Sequence, residues 1–156
     1  MDMIAYLSGG MEYAENFGAD WRTEIEKWLS AKLHHGVFNP VKASELFLSS
    51  KYPGLTFREM KLTDLDRHRQ IAKEIVGLDC REIILRSDYI ICYYDESAQR
   101  GAGTKGELTI ASMFGKPVYF VVGMEVEKIP SWVLGCTDEI FYGFSSLKNF
   151  LSQRFL

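Results

Sequence analysis

Two apolar runs, Tyr89 to Tyr94 and Val118 to Val122, are almost uninterrupted, and a polar, glycine-rich stretch followed by a helical pattern separates them. Such runs suit strands covered on both faces of a parallel sheet, whereas strands with one wet face alternate apolar and polar positions. Met3 to Leu7 predicts an earlier strand that delivers the chain into Ser8-Gly9-Gly10-Met11. Val37-Phe38-Asn39 predicts a short second strand stopped by Pro40, and Glu139 to Tyr142 a short fifth. A helix from Ala19 or Asp20 to about His34 sets Trp21, Ile25, Trp28, Leu29 and Leu33 on one face, with Gly36 ending it. A polar helix runs from Thr63 to about Val76 and breaks at Gly77; a second, short one starts at Asp79, which has the position of an N-cap. Thr104 caps a helix to about Phe114, where Gly115 and Pro117 stop it. Pro130 to Leu134 and Ser145 to Phe150 complete the helical segments. Residues 12 to 18 read as loop; residues 41 to 60 carry no decisive pattern beyond a helical turn over Ala43 to Ser50 and a turn at Tyr52-Pro53-Gly54.

Five short strands with helices between them predict a three-layer, doubly wound α/β domain with a five-stranded parallel sheet, of the flavodoxin or Rossmann kind. At 156 residues the chain is sized for one domain over residues 1–156, able to bury roughly two-thirds of its unfolded surface without a covalent staple. Cys80, Cys92 and Cys136 are odd in number and widely spaced, so they read as reduced thiols; of the three, Cys80 stands near a predicted helix start, where a thiol gains reactivity. His34 and His35 are neighbours at a helix end, pointing apart, and do not share a metal. A net charge of −3 gives no reason to expect nucleic acid or an anionic membrane as partner. No leader pattern and no membrane-spanning run is evident, so a cytoplasmic protein is expected.

In open parallel sheets, ligands occupy the crevice at the carboxyl ends of the strands. Glu107 falls at that end, in the first turn of the helix after the glycine-rich loop, and is the leading candidate for chemistry; a helix N-terminus also favours an acid there without any function. Gly101 to Gly106 matches G-x-G-x-x-G, with Glu125 near the place of a ribose-binding acid. Asp95 to Arg100 separate the strand from the first glycine, where the dinucleotide fingerprint has almost nothing, so a dinucleotide-dependent oxidoreductase is the lesser alternative. No Gly-Lys-Ser/Thr follows at the spacing of a phosphate-binding P-loop.

Tyr6-Leu7-Ser8-Gly9-Gly10-Met11, Val37-Phe38-Asn39-Pro40, Asp79 nine residues before Ser87-Asp88, Gly103-Thr104-Lys105-Gly106-Glu107 and Gly115-Lys116-Pro117-Val118 occur in one order. This ordered set resembles the nucleoside 2-deoxyribosyltransferase family and its nucleotide N-glycosidase relatives over roughly residues 3–122. The resemblance implies a retaining double displacement at C1′ of a 2-deoxyribosyl group. Glu107 would be the nucleophile, Tyr6 would orient its carboxylate, and Asp79 would protonate or hold the departing base. Ser8, Gly9, Gly10, Met11, Gly101, Gly103 and Thr104 would bind substrate, the two loops through backbone N–H groups.

Transferases of the family carry an aspartate six residues before the nucleophile; that position is Gly101 here, and Asp95 would substitute if its loop folds inward. Many members have proline where Gly10 stands. The implied partners are a small nucleoside or nucleotide and further copies of the chain, as a homodimer or larger, with no cofactor and no metal. Water or a second base as acceptor, and a nucleotide-binding module without turnover, are alternatives these residues leave open. So are Tyr6 as a plain strand aromatic and Asp79 as a plain N-cap. The chemistry is coherent in its own right: breaking an N-glycosidic bond builds positive charge on the sugar, which a carboxylate stabilises, and negative charge on the base, which an acid relieves.

Overall fold

A computed structural model gives the structure of residues 2–156. Five strands, β1 (Ile4–Gly9), β2 (Gly36–Phe38), β3 (Tyr89–Tyr94), β4 (Val118–Val122) and β5 (Glu139–Phe141), form one all-parallel sheet in the order β2-β1-β3-β4-β5. Successive side chains along a strand alternate between faces, which divides the core in two. On one face Ala5, Leu7, Tyr89, Ile91, Tyr119 and Val121 pack against Ile25, Leu29 and Leu33 of α1 (Ala19–Leu33) and Leu147 and Leu151 of α8 (Phe144–Phe155). On the other, Tyr6, Ile90, Cys92, Tyr94, Val118 and Phe120 pack against Leu108 and Ala111 of α6 (Gly103–Met113) and Val133 of α7 (Ser131–Gly135). The result is the expected three-layer sandwich of the flavodoxin or Rossmann kind. The strand order reverses between β1 and β3, and that is where such sheets open a crevice at their carboxyl ends.

Several local expectations are corrected. The helical turn expected over Ala43 to Ser50 is present as part of a longer helix: Asn39 accepts from the Val41 and Lys42 N–H groups and caps α2 (Pro40–Lys51), with Pro40 at the first helical position rather than only ending the strand. After a short α3 (Met60–Thr63), Asp64 caps α4 (Leu65–Arg81), which runs straight through Gly77. The Arg81 guanidinium folds back over Gly77, 2.9 Å from where a Cβ would stand, and the helix is not broken there. One turn of π-helix, Glu82–Arg86, follows.

Asp79 is therefore in the last turns of α4 and caps nothing, and Cys80 is at a helix end, not a start. Asp95 caps a further short helix, α5 (Glu96–Arg100), where a loop was expected. Thr104 lies inside α6, which has no side-chain cap. His34, in the left-handed region at φ 56°, ends α1 ahead of Gly36, and His35 turns inward, its Nδ1 2.8 Å from the Tyr89 hydroxyl. Among the described residues, no helix is long and apolar enough to cross a membrane.

Candidate active site

Tyr6 and Ser8 are two apart on β1, so both side chains face α6. The Tyr6 hydroxyl donates to Glu107 Oε2 and the Ser8 hydroxyl to Oε1 at 3.2 Å, holding both oxygens of one carboxylate. Tyr6 itself is fully buried, its ring stacked on Phe38 of β2 at 5.2 Å, which fixes where its hydroxyl can reach. Burial raises Glu107 to about 7, against the two hydroxyl donors and the Arg22 charge, which favour its ionised form. Tyr6 is pushed well above the ordinary phenol value, by burial first and then by the neighbouring Glu107 and Asp79 charges.

Asp79, from α4, sits within the same field. Burial and then the Glu107 charge raise it to about 8. Its Oδ1 and the Ser87 Oγ are buried without a hydrogen-bond partner among the described residues. A buried carboxylate so placed pays heavily in lost solvation, so near neutrality this group keeps its proton. Two acids with different surroundings thus divide their roles: Glu107 is held by donors that suit a carboxylate, and Asp79 has surroundings that suit the protonated acid.

Arg22 was not singled out from the sequence. It is fully buried on the face of α1 that carries Ile25, Leu29 and Leu33. Its guanidinium donates to the carbonyls of Leu7 (3.2 Å), Gly9 (2.9 Å), Gly10 (3.2 Å) and Gly18 (2.9 Å). A trans peptide sets its C=O and N–H on opposite sides, so the N–H groups of Gly10 and Met11 are turned away from the guanidinium. The sequence-level signal was a charge on an otherwise apolar helical stripe.

The remaining nominated residues divide. Asp95 spends its carboxylate on the Ala98 N–H (3.1 Å) and the Ser97 hydroxyl at the start of α5. Gly10 packs against that same helix start: a Cβ on it would lie 1.9 Å from Ser97 Oγ and 2.8 Å from the Ala98 nitrogen. A proline at this position has no room. Gly101 and Gly103 flank the start of α6, with nothing within 4 Å of an added Cβ on Gly103. Thr104 is buried in the first turn of α6. Cys80 is raised by burial and by the Glu107 and Asp79 charges, the reverse of an activated thiol. Among the described residues, no group of three or more His, Cys, Asp or Glu side chains is gathered to hold a metal ion.

A cavity of about 600 Å³ lies to one side of the acid pair, between α2, α4 and the connection from Leu55 to Lys61. Of the nominated residues it includes Met11 alone; neither Glu107 nor Asp79 lines it. His68, Ala72 and Ile75 of α4 form one wall, and Asp79 follows Ile75 by one turn on that helical face. No protein-family model matches the chain, and no curated protein matches it at a significant level of similarity.

Proposed function

We propose that this chain breaks the N-glycosidic bond of a nucleoside or nucleotide, with Glu107 as nucleophile and Asp79 as acid. The observation that carries the reading is the half-buried acid pair itself: one carboxylate anchored by Tyr6 and Ser8, the other raised and with a buried oxygen that lacks a partner among the described residues, beside the point where the strand order reverses. In the first step the ionised Glu107 attacks C1′. The bond from C1′ to the base nitrogen breaks, its electron pair goes to the base, and the Asp79 proton follows onto the base. In the second step water, or the nitrogen of another base, attacks C1′ from the opposite side. The ester bond to Glu107 breaks, and the attacking group's proton returns to Asp79.

Tyr6 and Ser8 keep the carboxylate aimed while charge leaves it, and Arg22 adds a fixed positive charge that favours its ionised form. Incubation with a panel of deoxynucleosides and their 5′-monophosphates, read by chromatography for free base, tests the reading. Release by the wild type and its loss in Glu107→Gln support it; binding without release in the wild type favours a nucleotide-binding module instead.

A further inference from the structure

The acid pair occupies a small place, while the adjoining cavity of about 600 Å³ has the size of sites that hold a drug-sized molecule, more than a bare nucleobase needs. Much of its wall is apolar: Val41 and Leu48 from α2, Ala72 and Ile75 from α4. It also carries aromatic surface fixed in orientation. The Phe57 and His68 rings stack at 4.2 Å and 15°. The His68 Nδ1 is 2.9 Å from the Phe57 carbonyl, which makes Nδ1 the donor of that pair and fixes the ring's orientation. Phe17, on the loop after β1, is held by the Arg58 guanidinium 4.0 Å above its ring, and Lys61 pairs with Glu12 beside it. These contacts fasten the Met11 to Gly18 loop across to the Leu55–Lys61 connection.

Resting on the glycosidic reading above, we propose that this cavity receives the leaving base, and that the base it fits carries an aryl or similarly large apolar substituent. Continuity supports the placement: the α4 face that lines the cavity leads by one turn to Asp79, the group that protonates the base. The ring system enters between the α2 and α4 walls with its substituent against Phe57 and His68, and the bond to be broken remains outside, by Glu107. An unsubstituted base leaves most of the apolar wall wet, so the cavity discriminates by the area that a substituent removes from water.

The matched probes are adenine and 6-benzylaminopurine, titrated calorimetrically into the full chain. The expected result is at least tenfold tighter binding of the benzyl compound. Ala72→Trp, which fills the cavity from α4, removes that preference, and Ser44→Phe does so from the α2 wall if the first variant does not fold. Equal binding of the two probes, or a preference that survives filling, overturns the proposal. The readout does not depend on catalysis. Selective binding with no base released from any substituted deoxynucleoside would sink the glycosidic reading and the cavity's role as a leaving-base site, while leaving an apolar ring site in place.

Discussion

Tyr6 and Glu107 stand 101 positions apart in the chain, and the phenol hydroxyl of one donates to the carboxylate of the other. The contact exists because β1 is central, α6 crosses its face, and Phe38 stacks behind the Tyr6 ring. Tyr6→Phe keeps the ring and removes the donor. A hydrogen bond to a charged group is worth about 1.5–3 kcal/mol, so kcat/KM is expected to fall roughly 10- to 100-fold. The bond favours the ionised Glu107, so its loss also moves the acid limb of the pH profile to higher pH. An unchanged limb would mean that the contact does not set the acidity of Glu107.

The proposed mechanism requires Glu107 ionised and Asp79 protonated. With the two near 7 and 8, kcat/KM is expected to trace a narrow bell between those values, its limbs belonging to the pair as a unit. Asp79→Asn removes the acid, lowers the rate by about 10²- to 10⁴-fold for bases that need a proton, and abolishes the basic limb. Steady-state rates from pH 5.5 to 9.5 decide this.

The same two groups give stability an unusual sign. Both are raised above their ordinary values of 4.5 and 3.8, so the native protein retains protons that the unfolded chain has released. Their contribution is fully present below about pH 4 and is lost as pH rises through 7 and 8. Asp79→Asn, neutral at every pH, is expected to raise the thermal midpoint at pH 8.5 by at least about 2 °C, the effect of roughly 1 kcal/mol in a chain of this size. At pH 3, where Asp79 holds its proton in the unfolded chain as well as in the native protein, the midpoint changes little. Scanning calorimetry at the two pH values separates these outcomes.

Much of this arrangement was legible in the sequence, for reasons specific to each part. The runs at Tyr89 and Val118 are apolar at every position because both faces of the central strands are covered, and Glu107 was found through its place after the loop. Asp79 was nominated for chemistry yet misplaced as a cap, because Gly77 reads locally as a helix break. Its penalty of about 1 kcal/mol is outweighed by the packing of α4. Arg22 went unnoticed since its four acceptors are carbonyls, which no residue type announces. The cavity was not visible either: its walls come from residues 11–17, 41–48, 55–61 and 68–75, four separate stretches brought together only in the folded chain.

Arg22→Met exchanges the buried cation for an apolar chain of similar length and leaves the carbonyls of Leu7, Gly9, Gly10 and Gly18 without their donor. At about 1–3 kcal/mol for a buried group left unsatisfied, a loss of several kcal/mol is expected in urea denaturation. Where the variant still folds, the acid limb of kcat/KM moves to higher pH, because a charge favouring ionised Glu107 is gone. A loss of stability with an unmoved limb would confine Arg22 to holding the loop.

Gly10→Ala places a methyl group against Ser97 Oγ and the Ala98 backbone. The expected destabilisation is about 1–3 kcal/mol, as for other overpacked sites. Ser97→Gly recovers only part of it, since the Ala98 nitrogen remains in the way. Full recovery in the double variant would show that the side chain alone sets the fit.

The central claim is that the Glu107 carboxylate bonds to the sugar during turnover. Rapid acid quench of the enzyme with a cleaved deoxynucleoside, followed by peptide mapping in the mass spectrometer, reads this directly. The account predicts a 2-deoxyribosyl ester on the peptide containing Glu107, absent in Glu107→Gln along with base release. Base release that persists undiminished in Glu107→Gln, or an adduct on another residue, would contradict it.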